Sequence, residues 1–406
     1  MILFWIFAGI TCFGIIGCLL QIVAVRSYTV PPDSGESTRF PGFFPPVSIL
    51  KPLKGLDDGL FDNLESFCKL DYPQYELIFS LQNQNDPAYK VVKKIQEKYP
   101  SRDITIAVEY CNEGLNPKVN NLIPAYKRAK YDLILISDSN VRVEKQYLAD
   151  ITWHMDDPSV GLVSNMIRGL GGRSLGAHME NLHLNSFIVG SVCFLDKYLK
   201  MPCVVGKSML MRKAELEDIG GFGSVKDFLA EDYIIGKRIH ELGKRVVLSS
   251  HLINNVNEYW GIKRFINRHT RWGKLRWQIG GAKYLSELAG NAVFMSFVPI
   301  VIMPISKVSL LLAAAVSSLK IVHDLYIGKK LRADMHPLLY LLSPVKDLIV
   351  GLIWFVPILS NTVAWRGNRY IIGKDSMLFP YPEKGTTLWG LRIVTAIKTR
   401  LAWSKT

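Results

Sequence analysis

The feature that most constrains this chain is its first 25 residues, MILFWIFAGITCFGIIGCLLQIVAV, which carry no charged side chain. About 20 apolar residues cross a bilayer as a helix, and a helix satisfies its own backbone there. No basic region precedes the run, and it is longer than a signal-peptide core, so it reads as a retained anchor. Arg26 follows directly, which places the downstream side in the cytoplasm. Apolar character returns after residue 284, with candidate spans at 288–306, 308–326 and 346–365. Pro299 and Pro304 interrupt the first, and Lys320 and His323 in the second call for snorkelling. Three such spans would put both termini outside, yet the tail from Arg366 is basic and belongs inside. A re-entrant or interfacial segment among the candidates would reconcile the two.

Between these apolar ends, residues 46–250 alternate strand and helix. PVSILK (46–51), YELIFSLQ (75–82), DITIAVE (103–109) and DLILISD (132–138) read as strands. DGLFDNLESF (58–67), PAYKVVKKIQEKY (87–99) and PKVNNLIPAYKRA (117–129) read as helices, the last two with Pro at the first position. Strand–helix alternation over this length predicts an α/β fold with a mostly parallel sheet. Ligands of such sheets bind beyond the carboxyl ends of the strands. Asp86 and Asp138 both fall there. The domains expected are an anchor at 1–26, a catalytic domain at 45–283 with interfacial amphipathic segments, membrane-embedded helices at 284–366 and a basic tail at 367–406.

Several classes are excluded. The turn after the first strand, KPLKGLDDG, lacks the GxGxxG of a dinucleotide fold, and no Walker A sequence is present. The six cysteines form no CxxC pair, so neither a disulfide framework nor a zinc knuckle is expected. The net charge of +14 suits an anionic partner. Basic residues crowd 238–283 and 366–405 together with Trp and other apolar residues, which fits a membrane surface or a phosphorylated small molecule, not nucleic acid.

The carboxylates suggest which small molecule. Asp86 stands in NDP, Asp138 in SDSN, and Glu231 and Asp232 in AED; RHTRW follows at 268–272. A divalent cation on a diphosphate prefers carboxylate oxygen, an acceptor hydroxyl needs a general base, and a leaving diphosphate needs positive charge around it. Each role has a candidate. Local readings stay open beside these: Asp86 as a helix cap, Glu231 as the base in place of Asp232, and Arg268 and Arg271 as lipid-facing residues. His178 and His183 lack the i, i+4 spacing of a zinc pair, and Cys203 reads as a small buried hydrophobe.

The ordered motifs NDP, SDSN, AED and RxxRW resemble the D, D, D, (Q/R)xxRW signature of membrane glycosyltransferases with a GT-A fold. The segments DNLESFCKLDYPQYELIFSLQNQNDPA, GLNPKVNNLIPAYKRAKYDLILISDSNVRV and GKSMLMRKAELEDIGGF resemble the ceramide glucosyltransferase family in particular. The resemblance implies an inverting transfer of a sugar, glucose first, from a UDP-sugar to the primary hydroxyl of ceramide on the cytoplasmic face. Another membrane lipid, such as a hopanoid or diacylglycerol, is the alternative acceptor, and a catalytically silent scaffold the alternative class. The resemblance further implies that Asp86 contacts the nucleoside, that Asp138 holds Mn²⁺ or Mg²⁺, and that Asp232 is the base. Lys118, Asn120 and Asn121 would line the donor pocket, and Arg268, Arg271 and Trp272 would meet the diphosphate and the bilayer surface. Asn83, Asn85 and Asn140 depart from the family pattern and leave the site with less negative charge.

Overall fold

The computed structural model describes residues 2–29, 43–365 and 367–382. It opens with α1 (Ile2–Thr29), the uncharged anchor in a single helix. The alternating region follows as β1 (Val47–Pro52), α2 (Leu60–Cys68), β2 (Tyr75–Leu81), α3 (Ala88–Lys98), β3 (Ile104–Val108), α4 (Pro117–Arg128) and β4 (Leu133–Ser137). Then come β5 (Val141–Arg142), α5 (Tyr147–Thr152), β6 (Val160–Leu170), α6 (Leu175–His183), α7 (Val189–Leu199), β7 (Ser208–Arg212), α8 (Lys213–Asp218), α9 (Glu231–Glu241) and β8 (Arg245–Val256).

Every residue of β1, β2 and β4 is buried, as parallel strands covered on both faces require. The pleat divides their side chains between two cores. Ile49, Leu77 and Phe79 face α2 and α3, whereas Leu50, Ile78, Ile134 and Ile136 face α4 and α9. On α3 the buried residues Ala88, Val92 and Ile95 recur at helical spacing. Asn116 caps α4 by accepting from the backbone N–H groups of Lys118 and Val119, with Pro117 at the first position.

The eight strands run in the order β3-β2-β1-β4-β7-β6-β8-β5. The four earliest strands pair in parallel, and so do β6 and β8. Strand β7 is reversed against both β4 and β6, and the short β5 against β8, so the sheet is mostly parallel with one inverted strand at its centre and another at its edge. The register Ser137↔Ser208 brings the start of β7 to the end of β4.

The last third holds α10 (Ile262–Gly280), α11 (Leu285–Gly290), α12 (Ala292–Ile302), α13 (Lys307–Lys330), α14 (Ser343–Ile353) and α15 (Val356–Leu359). Besides α1, the segments Lys307–Lys330 and Pro337–Leu359 are long and apolar enough to cross a membrane. The span read from sequence at 288–306 is the short α12, set at 75° to the helix before it. The span read at 346–365 begins earlier, at Pro337, and ends before a strand. That strand is β9 (Thr362–Trp365), which forms a small antiparallel sheet with β10 (Asn368–Ile372) and β11 (Leu378–Pro380). The first part of the basic tail is therefore ordered sheet; residues 383–406 lie outside the described residues.

Two lysines and two aspartates join α13 to α14 in a closed ring. Lys346 stands 2.9 Å from Asp347 and 3.5 Å from Asp324, and Lys320 pairs with both aspartates. Lys346 also donates to Ser186 Oγ in the turn between α6 and α7, at 3.1 Å. Removing one member of a buried ion pair strands its partner. Lys346→Met is thus expected to destabilise the protein by about 3–5 kcal/mol, and Arg276→Met, which breaks the more exposed pair with Glu287, by about 1 kcal/mol or less. Thermal unfolding in detergent checks the difference.

Candidate active site

The carboxyl end of β4 lies beside the N-termini of α4 and α9, and all three point side chains into one cavity of about 1170 Å³. Asp138 is the first residue after β4. Its carboxylate lies between Lys118 and Lys207, with Oδ1 and Oδ2 each 2.9 Å from one ammonium. Lys207 is brought there by the reversal of β7, because it immediately precedes Ser208. It also donates to Asn140 Oδ1 at 2.7 Å. Burial opposes the charge of Asp138, yet the two lysines outweigh it and hold its carboxyl well below the usual carboxylate range. Behind them Lys51, wholly buried in β1, donates to the Asp138 carbonyl at 2.7 Å and lies 3.7 Å over the Phe67 ring. This answers why a buried strand ends on a carboxylate: three lysines converge on that one residue.

Lys118 has a second carboxylate partner. Its ammonium is 2.9 Å from Glu231 Oε1, and Asn116 donates to Glu231 Oε2 at 3.0 Å. Both oxygens of Glu231 are thus engaged. Asp232, next on α9, lines the cavity and, among the described residues, accepts from backbone N–H groups: Gly206 at 2.9 Å and Tyr233 at 2.8 Å. The helix N-terminus at Asp232 favours the ionised carboxylate, and its other surroundings oppose that preference. Burial, followed by the neighbouring Glu231 charge, pushes its carboxyl up to about 6. A carboxylate of that pKa is ionised at neutral pH and still basic enough to take a proton efficiently.

Helix α10 supplies the opposite wall. Arg268, Arg271 and Trp272 all line the cavity, on one face at i, i+3 and i+4. The Arg268 guanidinium lies 4.3 Å from the Trp272 ring centre and 5.1 Å from that of Trp260. Glu180 of α6 pairs with Arg268 at 3.3 Å and with His269 Nε2 at 2.9 Å, so the motif is fixed to the domain and not simply turned to lipid. Asn121 also lines the cavity and donates to the Leu53 carbonyl at 2.7 Å. Two predicted residues stand off it. Asn120 bonds both backbone groups of Gly114. Asp86 caps the start of α3 and accepts the Gly55 N–H, at 2.9 Å in each case, and so shapes the KGLDDG turn from outside.

Lys51, Lys207 and Gly206 were missed by the sequence reading. The lysine in GKSMLMRK was visible, but its partner follows only from an antiparallel register. No group of three or more His, Cys, Asp or Glu side chains stands together as a metal site among the described residues. The oxygen donors at the strand end are Asp138 and the amide oxygen of Asn140.

Comparison with known proteins decides the family. The model of glycosyl transferase family 21 matches residues 8–378. This chain belongs to glycosyl transferase family 21. The family 21 chain is 28% identical over 375 residues to ceramide glucosyltransferase 3 of Caenorhabditis elegans, covering 89% of this chain and 80% of that protein. It is 33% identical over 238 residues to ceramide glucosyltransferase 1 of the same organism, covering 57% of this chain and 50% of that protein. In fold it is similar to a mannosyltransferase of Pyrobaculum calidifontis, with a TM-score of 0.52 at 16% identity, over 88% of this chain and 98% of that one. The family 21 chain is thus a glycosyltransferase of GT-A fold whose apolar helices mark it as a membrane protein.

Gly206 is the point at which α9 touches the turn preceding β7. A Cβ there would lie 2.4 Å from Asp232 Oδ2. Gly206→Ala is expected to displace that carboxylate and lower transferase turnover by about 10²-fold. The check is an activity assay run beside circular dichroism, with the secondary structure unchanged.

Proposed function

We propose that this glycosyltransferase moves glucose from UDP-glucose to the primary hydroxyl of ceramide, with inversion at the anomeric carbon, on the cytoplasmic face of the membrane. The observation that carries the reading is the mixed lining of a single cavity. Lys118, Asp138, Lys207 and Asp232 suit a sugar diphosphate, while Ile188, Val192, Val205, Leu275 and Ile279 suit a lipid. The named relatives are ceramide glucosyltransferases, which supports glucose and ceramide as the pair.

Asp232 takes the proton of the ceramide hydroxyl. The hydroxyl oxygen bonds to the anomeric carbon as the bond from that carbon to the β-phosphate oxygen breaks, and UDP leaves on the opposite side. The proton then passes from Asp232 to water. Lys118, Lys207, Arg268 and Arg271 surround the departing diphosphate with positive charge, a preorganised field that needs little rearrangement during the reaction. Asp138 and Asn140 would hold Mg²⁺ or Mn²⁺ through oxygens that now face Lys118 and Lys207, so the two ammonium groups would have to turn from them toward the diphosphate. A solved mannosyltransferase of the same fold holds GDP-mannose with Mn²⁺. Bound there, the cation would neutralise charge on the diphosphate. Asp86, outside the cavity, would serve the nucleoside by holding the Gly55 turn in place.

The test is mass spectrometry of lipids formed by the purified protein from a panel of UDP-sugars with ceramide, diacylglycerol and hopanoid. Hexosylceramide from UDP-glucose is the expected product. Product on another lipid alone overturns the acceptor, and absence of UDP release with every lipid indicates a silent scaffold.

Two variants probe the chemistry. Asp232→Asn keeps shape and nucleotide binding but is expected to lower transfer by about 10²–10⁴-fold, with Glu231→Gln milder. Because Asp232 acts ionised and its pKa is raised to about 6, wild-type activity should fall as pH drops through about 6, on a one-proton limb in the pH–rate profile. Asp138→Ala is expected to abolish transfer and to weaken UDP binding measured with Mn²⁺ by calorimetry; full activity of this variant in chelator contradicts the role given to Asp138.

A further inference from the structure

Both ends of the apolar Pro337–Leu359 segment are fastened to the catalytic domain. Before it, Arg168 of β6 donates to the Leu331 carbonyl at 2.8 Å, and the Gly171 N–H donates to Asp334 Oδ2 at 2.8 Å. After it, Lys274 of α10 donates to Ser360 Oγ at 3.3 Å. The β9–β11 sheet then joins the strand of chain leading into α9. Leu229 N–H donates to the Ser376 carbonyl at 3.0 Å, and Leu378 N–H to the Asp227 carbonyl at 2.7 Å. Trp365 of β9 lines the active-site cavity itself.

A helix that crosses a bilayer leaves its two ends on opposite sides of a hydrocarbon layer about 30 Å thick. Ends bonded to one folded domain cannot be so divided. We propose that Pro337–Leu359, though long and apolar enough to span, does not cross the membrane. It lies in the leaflet facing the catalytic domain, and the chain beyond it returns to the active site on that same side.

The surface of the segment fits that placement. Leu338, Leu341, Val345, Leu352, Phe355 and Leu359 are exposed and recur at steps of three, four or seven residues, which forms one apolar stripe. Its charged residues Lys346 and Asp347 turn the other way, into the ring with Lys320 and Asp324. The occupant of the stripe is the acyl-chain layer of that leaflet. The helix is also interrupted at Trp354, whose ring stacks on Tyr284 at 5.1 Å, near the turn that ends α10.

The remaining helices make the count consistent. Val25 near the end of α1 and Leu331 just after α13 share a cluster with Met166 of β6 and Leu248 of β8. Both helices therefore run toward the domain, and α13 must begin on the far side. The bent passage through α11 and α12 carries the chain there, with Ala292 so close to Gly14 of α1 that a Cβ on Gly14 would lie 2.9 Å from it. The domain then connects to the far side by α1, by the bent passage and by α13. This resolves the conflict between three C-terminal spans and a basic tail on the cytoplasmic side. The inference does not depend on the identity of donor or acceptor.

Membrane-impermeant maleimide labelling of the full chain in sealed vesicles tests it, with single cysteines in a cysteine-free background. Lys90→Cys on α3 marks the catalytic side. His336→Cys and Asn368→Cys, before and after the segment, should label from that same side, and Ile305→Cys between α12 and α13 only from the other. Labelling of His336→Cys and Asn368→Cys from opposite sides overturns the proposal. If the cysteine-free chain is inactive, epitopes inserted after Ile305, His336 and Asn368 in the natural sequence, read by protease protection, give the same decision.

Discussion

The active site depends on the ammonium group of Lys118. It sits between Asp138 at the end of β4 and Glu231 at the start of α9, 2.9 Å from each, and it is carried by α4. The consecutive elements α4 and β4 are thus joined at one point to α9, far along the chain. The join is buried, so it requires full pairing to be tolerated, and the surrounding groups supply it. Lys207 takes the other oxygen of Asp138, Asn116 takes the other oxygen of Glu231, and the Gly206 carbonyl accepts from Lys118 at 3.0 Å. The same association helps to raise the chemistry of Asp232, because a buried, charged Glu231 next to it disfavours a second negative charge.

From that join the division of labour follows. Glu231 and Asp138 are held by side-chain cations, while Asp232 accepts from backbone donors and its carboxyl is pushed up to about 6. Two adjacent carboxylates thereby receive different surroundings. The β9–β11 sheet adds a further support, since its bonds to residues 227–230 hold the chain just before α9. A segment that follows the apolar helices in sequence is in this way part of the catalytic domain in space.

Much of this was legible in the sequence. The alternation of strand and helix over residues 46–138 announced a mostly parallel sheet, and SDSN, AED and RxxRW marked three segments that line one cavity, whereas the Asp86 of NDP stands outside it. What escaped it depended on long-range geometry. The reversal of β7 decides that Lys207 faces Asp138, and nothing local to SMLMR states a direction. Lys51 looked like the end of a strand and proved to be a buried prop. The stretch TVAW reads as the end of an apolar helix because short apolar runs do not distinguish helix from strand. The raised pKa of Asp232 escaped it too, because the helix terminus is visible in sequence and burial is not.

The central claim is that one base, Asp232, directs a single in-line displacement at the anomeric carbon. The most direct measurement is the proton NMR spectrum of the glycolipid formed from α-linked UDP-glucose. A β-linked product, shown by the large axial–axial coupling of its anomeric proton, is what a lone base opposite the leaving diphosphate predicts. An α-linked product would contradict the account, because a single in-line displacement inverts the anomeric carbon, whereas retention requires two successive displacements or attack from the face the diphosphate leaves.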